Sequence, residues 1–272
     1  MIKLKIYPSY QENMSTHCPY CLSKKIHIQW REAGFWKCDS CGLFFRNPMP
    51  TSQELDAYYA GAWSDANKHR AGTGGTDERL ANVYAGALAT ELGRKELGNL
   101  KIVDFGAGRG DFANALKRSG AEVTCVEPFG FDYLKKQGLT VYREFTDLPS
   151  GSQFDGIVMV DVWEHLAEPW ITLKTCAALL RARGWLFIAT PNPVGVNAAV
   201  RGSRWREARK LGHLMFGGPR TLERMHKETG FDSWKRLKWN IRYSDNPAVA
   251  AYQSLLQTAG WDGELRCLAW KA

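Results

Sequence analysis

The residues best suited to chemistry stand in the middle of the chain, where an apolar run ends in an acid and three glycines. Asp104 closes the run, and Gly106, Gly108 and Gly110 follow at alternate positions. Glycine permits positive φ and close approach of a ligand to the backbone, and apolar residues at helical spacing follow the last glycine. The stretch therefore predicts a strand, a tight turn and a helix whose free N–H groups favour an anionic group.

The spacing of these glycines narrows the choice of ligand. A G-x-G-x-x-G dinucleotide fingerprint requires its third glycine at position 111, where this chain has Asp111. The pattern therefore disfavours NAD. The next apolar run, residues 122–127, ends in Glu127, twenty-one residues after Gly106. A carboxylate at the end of a second strand can accept both hydroxyls of a ribose, so the turn and Glu127 together predict a ribose-containing ligand.

Four of the seven cysteines form two C-x2-C pairs near the amino terminus. The pairs are Cys18 with Cys21 and Cys38 with Cys41, with sixteen residues between them. This spacing suits tetrahedral thiolate coordination of zinc between two short hairpins. Disulfide bonds are the alternative, and the reducing interior of a cell disfavours them. Because four thiolates leave no open coordination position, the predicted zinc ion is structural rather than catalytic.

Length and composition indicate a globular chain with room for one large domain and a small one. The chain has 272 residues, of which 44% are hydrophobic and 24% charged, and its formal net charge is +8. The basic excess permits nucleic acid or phosphorylated partners but proves neither. No run of about 18 apolar residues is present, so no membrane span is predicted. The amino terminus lacks the apolar core of a signal peptide, which predicts a cytoplasmic protein.

The elements that must position these residues alternate between strand and helix from residue 101 onward. Apolar runs at residues 154–160 and 184–190, with helical patterns between and after them, predict a doubly wound, Rossmann-like α/β sheet of seven strands. Ligands of such sheets bind beyond the carboxyl ends of the strands, and this rule brings Gly106, Glu127 and Asp161 to one rim.

Three segments follow from this pattern. We predict a zinc ribbon at residues 1–50, followed by a helical connector with a cofactor-covering loop at residues 51–100. The loop itself spans the polar, glycine-rich residues 64–77. Residues 101–272 form the predicted cofactor-binding domain, which carries a basic insertion at residues 194–218.

Several motifs together resemble the class I S-adenosylmethionine (SAM) dependent methyltransferases. The turn after Asp104 and the acid Glu127 look like the glycine loop and second-strand acid of that class. The segments Asp161-Val-Trp-Glu-His-Leu166 and Leu211-Gly-His-Leu-Met-Phe216 are similar to parts of its ubiquinone-biosynthesis O-methyltransferase branch. A four-cysteine ribbon followed by Asn47-Pro-Met-Pro50 resembles bacterial members found with glycan and natural-product pathways. The resemblance implies SAM as the cofactor.

The resemblance also implies roles for individual residues. The implied cofactor contacts are Asp104, Gly106, Ala107, Gly108, Gly110, Glu127, Pro128, Asp147 and Asp161. Asp147 would accept a hydrogen bond from the adenine amino group, and Asp161 would contact the amino group of the methionine part of SAM or the acceptor. His165 and His213 are the candidate general bases, because histidine titrates near neutral pH. The alternatives are a structural hydrogen bond for His165 and a surface-loop position for His213.

The insertion at residues 194–218 is strongly basic and precedes the last helical unit. It contains Trp205, the single acid Glu207, and the cations Arg201, Arg204, Arg206, Arg209 and Lys210. Arginine suits phosphate or carboxylate groups, so one interpretation is a lid over a phosphorylated or acidic acceptor. Arginine interleaved with tryptophan would serve RNA equally well. A helix with a solvated basic face is the third interpretation.

The sequence thus predicts a SAM-dependent methyltransferase that acts on a small molecule. The expected reaction is O-methylation of a sugar, a glycan precursor or a natural product, a transfer that requires mainly positioning and exclusion of water. An RNA methyltransferase that holds RNA with the ribbon and the insertion is the first alternative. A SAM-binding scaffold without turnover is the second. The sequence does not specify the acceptor, the oligomeric state or a partner for the ribbon.

Overall fold

The computed structural model describes residues 14–62 and 78–272. The predicted cofactor-covering loop at residues 64–77 and the amino-terminal stretch lie outside the described residues. In the part of the chain that is described, no helix combines the length and apolar character needed to cross a membrane.

The described chain begins with a ribbon and connecting helices and continues as an alternation of strands and helices. The first part contains β1 (Ile26–Trp30), β2 (Phe35–Cys38), β3 (Phe44–Arg46), α1 (Ser52–Ala62) and α2 (Glu78–Glu91). The alternation contains β4 (Lys101–Phe105), α3 (Asp111–Arg118), β5 (Glu122–Val126), α4 (Phe131–Lys136), β6 (Thr140–Tyr142), β7 (Phe154–Val160), α5 (Pro169–Leu179) and β8 (Leu180–Pro191). The last part contains α6 (Val196–Arg201), β9 (Met215–Phe216), α7 (Pro219–Glu228), β10 (Ser233–Leu237), α8 (Pro247–Ala259) and β11 (Glu264–Trp270).

Seven strands form the main sheet, in the order β10-β11-β8-β7-β4-β5-β6. The strands from β8 to β6 run parallel, and β11 is antiparallel to both of its neighbours. The chain winds outward from β4 in both directions, so a switch point lies between β4 and β7, where ligands of doubly wound folds bind. This arrangement confirms the predicted seven-stranded, Rossmann-like class.

The alternation of side chains along β7 divides the core into two layers. Ile157 and Met159 belong to one layer, to which α5 and α7 also contribute. Val158 belongs to the other layer, together with Tyr84 of α2 and Phe112 of α3. Helices therefore cover both faces of the sheet, which is why its central strands read as nearly continuous apolar runs.

Two elements end earlier than their apolar patterns. Apolar residues recur at helical spacing over residues 78–97, but α2 stops at Glu91, because Gly93 adopts a φ of 69° and turns the chain. The apolar pattern over residues 233–240 is typical of a strand, but β10 stops at Leu237. Trp239 and Ile241 beyond it are buried in an irregular segment, so their apolar character reflects burial rather than β structure.

A second sheet joins the ribbon to the basic insertion. Its order is β1-β2-β3-β9, with antiparallel neighbours throughout. β9 comes from the insertion and pairs Phe216 with Phe44 and Met215 with Phe45. The two segments also share an aromatic core, formed by Trp30, Phe35, Phe44, Trp205 and Phe216. The insertion is therefore an integral part of the ribbon sheet.

The ribbon also packs directly against the main domain. Tyr20, within the first cysteine pair, stacks on Trp170 of α5 with ring centroids 5.4 Å apart. Thr221 of α7 donates a hydrogen bond to the carbonyl of Cys41 at 2.9 Å. Phe45 lies in the same apolar layer as the side chains of β7 and α5. These contacts fix the ribbon beside the carboxyl end of the sheet.

Candidate active site

The turn after β4 has the shape of a ligand cradle. Gly106 and Gly108 have φ values of 73° and 53°, which favour glycine. A Cβ on Gly106 would stand 2.4 Å from Cγ2 of Val162, so packing alone requires this glycine. Among the described residues, a Cβ on Gly108 would meet nothing nearer than the Gly106 carbonyl oxygen at 4.0 Å. The space beside Gly108 is therefore open to a ligand that approaches the backbone.

Glu127 ties this turn to the end of β5. Its Oε2 accepts a hydrogen bond from the N–H of Gly108 at 3.0 Å. Its Oε1 accepts from the N–H groups of Phe129 at 2.8 Å and Gly130 at 3.0 Å. Burial raises the pKa of Glu127, while the three N–H donors act in the opposite direction. The carboxyl group is thus fixed beside the open turn, where a ribose would lie in the predicted arrangement.

Two other predicted cofactor residues occupy contrasting environments. Asp104 is 2% exposed at the end of β4, and burial together with the charge of Glu127 raises its pKa to about 7. Its Oδ2 has no hydrogen-bond partner among the described residues. Asp147 is exposed, and its Oδ2 accepts a hydrogen bond from the N–H of Glu144 at 3.1 Å. One oxygen of Asp147 therefore caps its own turn, and the predicted contact with adenine depends on the other oxygen.

Ala107, Gly110 and Pro128 contribute through the backbone. The carbonyl of Ala107 accepts a hydrogen bond from the N–H of Gly110 at 2.8 Å. Gly110 directly precedes α3 and has a φ of 83°. The carbonyl of Pro128 accepts a hydrogen bond from Nη1 of Arg143 at 3.0 Å. These contacts fix the backbone on both sides of the cradle.

The two candidate bases lie side by side. His165 follows β7 and His213 precedes β9, and their ring centroids are 4.6 Å apart with the planes at 83°. A hydrogen bond of 2.7 Å joins the hydroxyl of Tyr59 to Nδ1 of His165. The ring of Tyr59 also stacks on Phe129 at 4.8 Å. Because Phe129 follows Glu127 by two residues, Tyr59 links the histidine pair to the predicted cofactor residues.

Both imidazoles are neutral near pH 7. Burial lowers the pKa of His165 to about 4, and burial together with the neighbouring His165 lowers the pKa of His213 below its usual range. The side chain of His165 keeps 24% exposure, whereas His213 is 2% exposed. His213 is therefore not the surface-loop residue of the alternative interpretation. A neutral ring nitrogen is able to accept a proton.

Two acids, Asp161 and Glu164, closely precede His165 in the chain. Glu164 is fully buried, accepts a hydrogen bond from Oγ1 of Thr190 at 2.8 Å, and places Oε1 4.0 Å from Nε2 of His165. Burial raises the pKa of Glu164 well above its ordinary value and that of Asp161 to about 7. One ligand-type atom from each of Glu164, His165 and His213 lies within 4.8 Å of the others. This spacing also fits a cation.

The four predicted metal ligands converge on one point of the ribbon. The Sγ atoms of Cys18 and Cys41 are 3.6 Å apart, as are those of Cys21 and Cys38. All four Sγ atoms lie within 4.8 Å of one another. A tetrahedral site with Zn–S bonds of about 2.3 Å requires sulfur atoms about 3.8 Å apart. The thiol arrangement therefore fits a zinc ion.

The basic insertion separates its aromatic side chain from its charges. Trp205 is 4% exposed, in the aromatic core shared with the ribbon. The exposed cations are Arg201, Arg204, Arg206 and Arg209. Glu207 lies between Nε of Arg206 at 2.9 Å and Nζ of Lys210 at 2.5 Å. Trp205 thus does not stand among the exposed arginines, and the aromatic platform that single-stranded RNA uses is not provided by this residue.

Sequence reasoning did not assign Tyr59, Phe129 or Arg46 to the site. Each acts through a partner far away in the chain: Tyr59 contacts His165 at a separation of 106 residues, and Arg46 contacts His213 at a separation of 167. Tyr59 had a local signal in the aromatic pair Tyr58-Tyr59 of α1, but this pattern is more typical of core packing. Phe129 had a positional signal, because it directly follows the Glu127-Pro128 turn.

Comparison with known proteins identifies the family. Residues 76–235 match the methyltransferase domain family. A ubiquinone biosynthesis O-methyltransferase from Rhizobium leguminosarum bv. trifolii is 31% identical over 116 residues, which are 39% of this chain and 46% of that protein. The chain thus spans about half the length of the curated relatives it matches.

Two solved structures share the fold. A chain from the complex between the Haloferax volcanii Trm112 methyltransferase activator and a methyltransferase has a TM-score of 0.56 at 16% identity, covering 78% of this chain and 97% of that one. The [4+2]-cyclase SpnF has a TM-score of 0.53 at 17% identity, covering 82% of this chain and 97% of its own. At these identities the likeness shows the fold alone, and the same fold supports different reactions.

The family match covers the glycine turn, Glu127, His165 and His213. It therefore includes the predicted cofactor residues at the turn and both candidate bases. The strand order, with β11 antiparallel between β8 and β10, agrees with the resemblance found in the sequence motifs. The chain belongs to the methyltransferase domain family and has the class I SAM-dependent methyltransferase fold.

Proposed function

We propose that this chain transfers a methyl group from SAM to a hydroxyl group of a small molecule. The observation that carries the proposal is the contact of Tyr59 with two groups of residues, one on the cofactor side and one on the acceptor side. Glu127 and the open turn at Gly108 form the cofactor side. The neutral pair His165 and His213 forms the acceptor side. Tyr59 contacts His165 on this side and Phe129 on the cofactor side.

The two sides suit the two halves of the reaction. When bound, SAM supplies a methyl group that its sulfonium has already activated. Glu127 and the turn at Gly108 would hold the cofactor, and an imidazole nitrogen of the histidine pair would accept the hydroxyl proton of the acceptor. Alignment and exclusion of water are the main contributions of the protein. His165 is the more exposed imidazole and contacts the acceptor in this proposal, while buried His213 packs against it.

Two observations support oxygen as the methylated atom and a small molecule as the acceptor. The relative from Rhizobium is named as an O-methyltransferase, and a neutral histidine is suited to a hydroxyl, whose proton must be removed during transfer. Sugars, glycan precursors and natural products are the acceptor classes that the resemblance of the ribbon and the Asn47-Pro-Met-Pro50 segment to bacterial methyltransferases suggests. The exposed arginines of the insertion would favour a phosphorylated or acidic member of these classes.

We also propose that the ribbon binds one structural zinc ion. Cys18, Cys21, Cys38 and Cys41 supply the ligands, because their sulfur atoms already have the spacing of a tetrahedral site. Four thiolates fill the coordination sphere, so the ion stabilises the ribbon and takes no part in methyl transfer.

The test is transfer of a labelled methyl group from SAM into a cell extract divided into RNA, protein, lipid and small-metabolite fractions. We expect label in the metabolite or lipid fraction. His165→Gln should lower the rate about 100-fold, the contribution typical of general base catalysis. The control is His27→Gln, which alters an exposed histidine of the ribbon and should leave the rate unchanged.

Other outcomes distinguish the alternatives. Label in RNA that nuclease releases would overturn the small-molecule proposal in favour of an RNA methyltransferase. Bound SAM with no label in any fraction would support the scaffold without turnover. A His165→Gln variant with the full rate would remove this imidazole from the mechanism.

A further inference from the structure

Arg46 belongs to the ribbon, but its guanidinium reaches the insertion that carries His213. Its Nε donates a hydrogen bond to the carbonyl of His213 at 2.7 Å. Its Nη2 donates to the carbonyls of Ala208 at 3.0 Å and Lys210 at 2.7 Å. Its Nη1 donates to the carbonyl of Ala33 in the ribbon at 2.9 Å. One side chain therefore joins the ribbon backbone to three carbonyls of the insertion.

This arrangement uses properties that belong to arginine. A planar guanidinium presents donors on three nitrogens in a fixed fork, whereas a lysine ammonium offers a single nitrogen. The guanidinium also packs over the ring of Phe35, with Cζ 4.8 Å from the ring centroid. Hydrogen bonds from a charged donor are stronger than those between neutral groups. The main-chain N–H of Arg46 adds a further bond to the carbonyl of Leu214 at 2.9 Å.

The backbone that Arg46 holds is tightly packed against the active site. A Cβ on Gly212 would stand 2.6 Å from Cε1 of Tyr59 and 3.2 Å from Nδ1 of His165. On the other side of His213, the N–H of Leu214 donates to the carbonyl of Glu164 at 2.7 Å. A small shift of this backbone would therefore change the contact between the two imidazoles.

We infer that Arg46 is a positioning residue that couples the ribbon to the acceptor side of the active site. It fixes the backbone of residues 208–213 so that His213 packs against His165, and it touches neither cofactor nor acceptor. The inference rests on the proposed function of the histidine pair. The ribbon thereby supports one wall of the active site in addition to any partner that it binds.

The test compares Arg46→Met and Arg46→Lys with Arg31→Met in the full chain. Arg31 is the matched control because it is an exposed arginine of the same ribbon. Zinc content, SAM affinity by calorimetry and amide hydrogen exchange are measured for each variant. For Arg46→Met we expect exchange at residues 207–216 to rise about ten-fold, with exchange at residues 101–130, zinc content and SAM affinity unchanged.

The kinetic signature separates positioning from general stability. In Arg46→Met, kcat for label transfer should fall about 100-fold, the scale of a misplaced catalytic group, while KM for SAM stays the same. The kcat of Arg46→Lys should lie between those of Arg46→Met and the parent chain, because lysine keeps the positive charge but lacks the planar set of guanidinium donors.

Two results would overturn the inference. One is unchanged exchange at residues 207–216 in Arg46→Met. The other is increased exchange throughout the chain with loss of SAM binding, which would make Arg46 a general stabilising residue. Should Arg46→Met not fold, Arg46→Lys provides the same comparison with Arg31→Met. Exchange and SAM binding need no turnover, so failure of this inference is distinguishable from failure of the proposed methyl transfer.

Discussion

Glu127 and Asp104 are buried carboxyl groups at the ends of adjacent strands, but their surroundings differ. Glu127 accepts three backbone N–H groups, whereas Oδ2 of Asp104 has no partner among the described residues. Burial disfavours the charged form of both groups, and it is opposed by three backbone N–H donors at Glu127 but by one, from Ala113, at Asp104. Glu127 is therefore suited to bind a ligand as a carboxylate, and Asp104 is suited to remain partly protonated near pH 7.

Glu127→Gln should weaken SAM binding about 10- to 100-fold, because hydrogen bonds to a charged group contribute about 1.5–3 kcal/mol each. The amide also presents an NH2 group to backbone donors that need an acceptor. Isothermal titration of SAM measures the effect. Glu122→Gln, which changes an exposed glutamate on the same strand, is the control and should bind normally. Equal affinity of the two variants would place the ribose elsewhere.

Asp104 makes the stability of the ligand-free protein depend on pH. Its folded-state pKa is about 7, above the value of about 3.9 in an unfolded chain. Between these values the folded state binds more protons, so this group's stabilisation is complete below about pH 4 and is lost as the pH rises to about 7. Over this pH range the free energy of unfolding of the parent chain should therefore fall by about 1.4 kcal/mol per pH unit. We expect this contribution to be absent in Asp104→Asn.

Urea unfolding of the ligand-free protein, at pH values about one unit apart from about 5 to about 8, measures how the free energy of unfolding changes with pH. The control is Asp132→Asn, which removes an exposed carboxylate and should keep the slope of the parent chain. Identical slopes for Asp104→Asn and the parent chain would show that Asp104 is not protonated in the folded state.

Single residues differ in how far the sequence predicts them. The glycines, Glu127 and the cysteine pairs carry short-range patterns, so their types and spacing were enough to propose their chemistry. The contact between His165 and His213 depends on how the insertion folds back onto β3. Its geometry could not be read from the sequence, because it results from packing between distant segments.

At the scale of elements, the insertion is organised by Trp205. Its ring contacts Trp30 at 5.4 Å and Phe216 at 4.9 Å between centroids. The same cluster contains Ala208, which is fully buried. Trp205, Ala208 and Phe216 of the insertion therefore pack against the ribbon, whereas its arginines are exposed.

Trp205→Ala should lower the free energy of unfolding by about 3–5 kcal/mol, the usual cost of removing a buried aromatic side chain. The matched control is Trp261→Ala, because Trp261 is 60% exposed, and this change should cost less than about 1 kcal/mol. Chemical denaturation of both variants provides the comparison. Equal, small losses would mean that Trp205 is available at the surface, as an RNA-stacking residue would be.

The elements themselves were predicted well where each carries its own periodicity. The strands and helices of the main domain alternate regularly, and this pattern was enough for the strand count and fold class. β9 was missed because it has two residues, Met215 and Phe216, too few for any period to be visible. Its strand character comes from pairing with β3, a partner far earlier in the chain.

At the scale of the whole molecule, the ribbon and the main domain share one core. Cys18 and Phe45 of the ribbon lie in the same apolar cluster as Ile157 and Leu173 of the main domain. Thr221 adds a hydrogen bond from α7 to the second cysteine pair. The ribbon is thus joined to the core rather than held by a flexible linker, and a change in its metal content should affect the stability of both parts.

Removal of zinc should therefore lower the melting temperature of the full chain, by on the order of 5–10 °C, because a ligand that binds the folded state alone stabilises it by mass action. Cys41→Ala should have the same effect and should make the protein insensitive to a chelator. Cys125→Ala is the matched control: Cys125 is a buried cysteine of the other core layer, so this variant should retain its zinc and its response to the chelator.

Differential scanning calorimetry with and without the chelator, together with metal analysis, makes the comparison. A protein that purifies without zinc and melts at the same temperature in both conditions would show that the four thiols pack without a metal, and the ribbon would then owe its stability to the shared core alone.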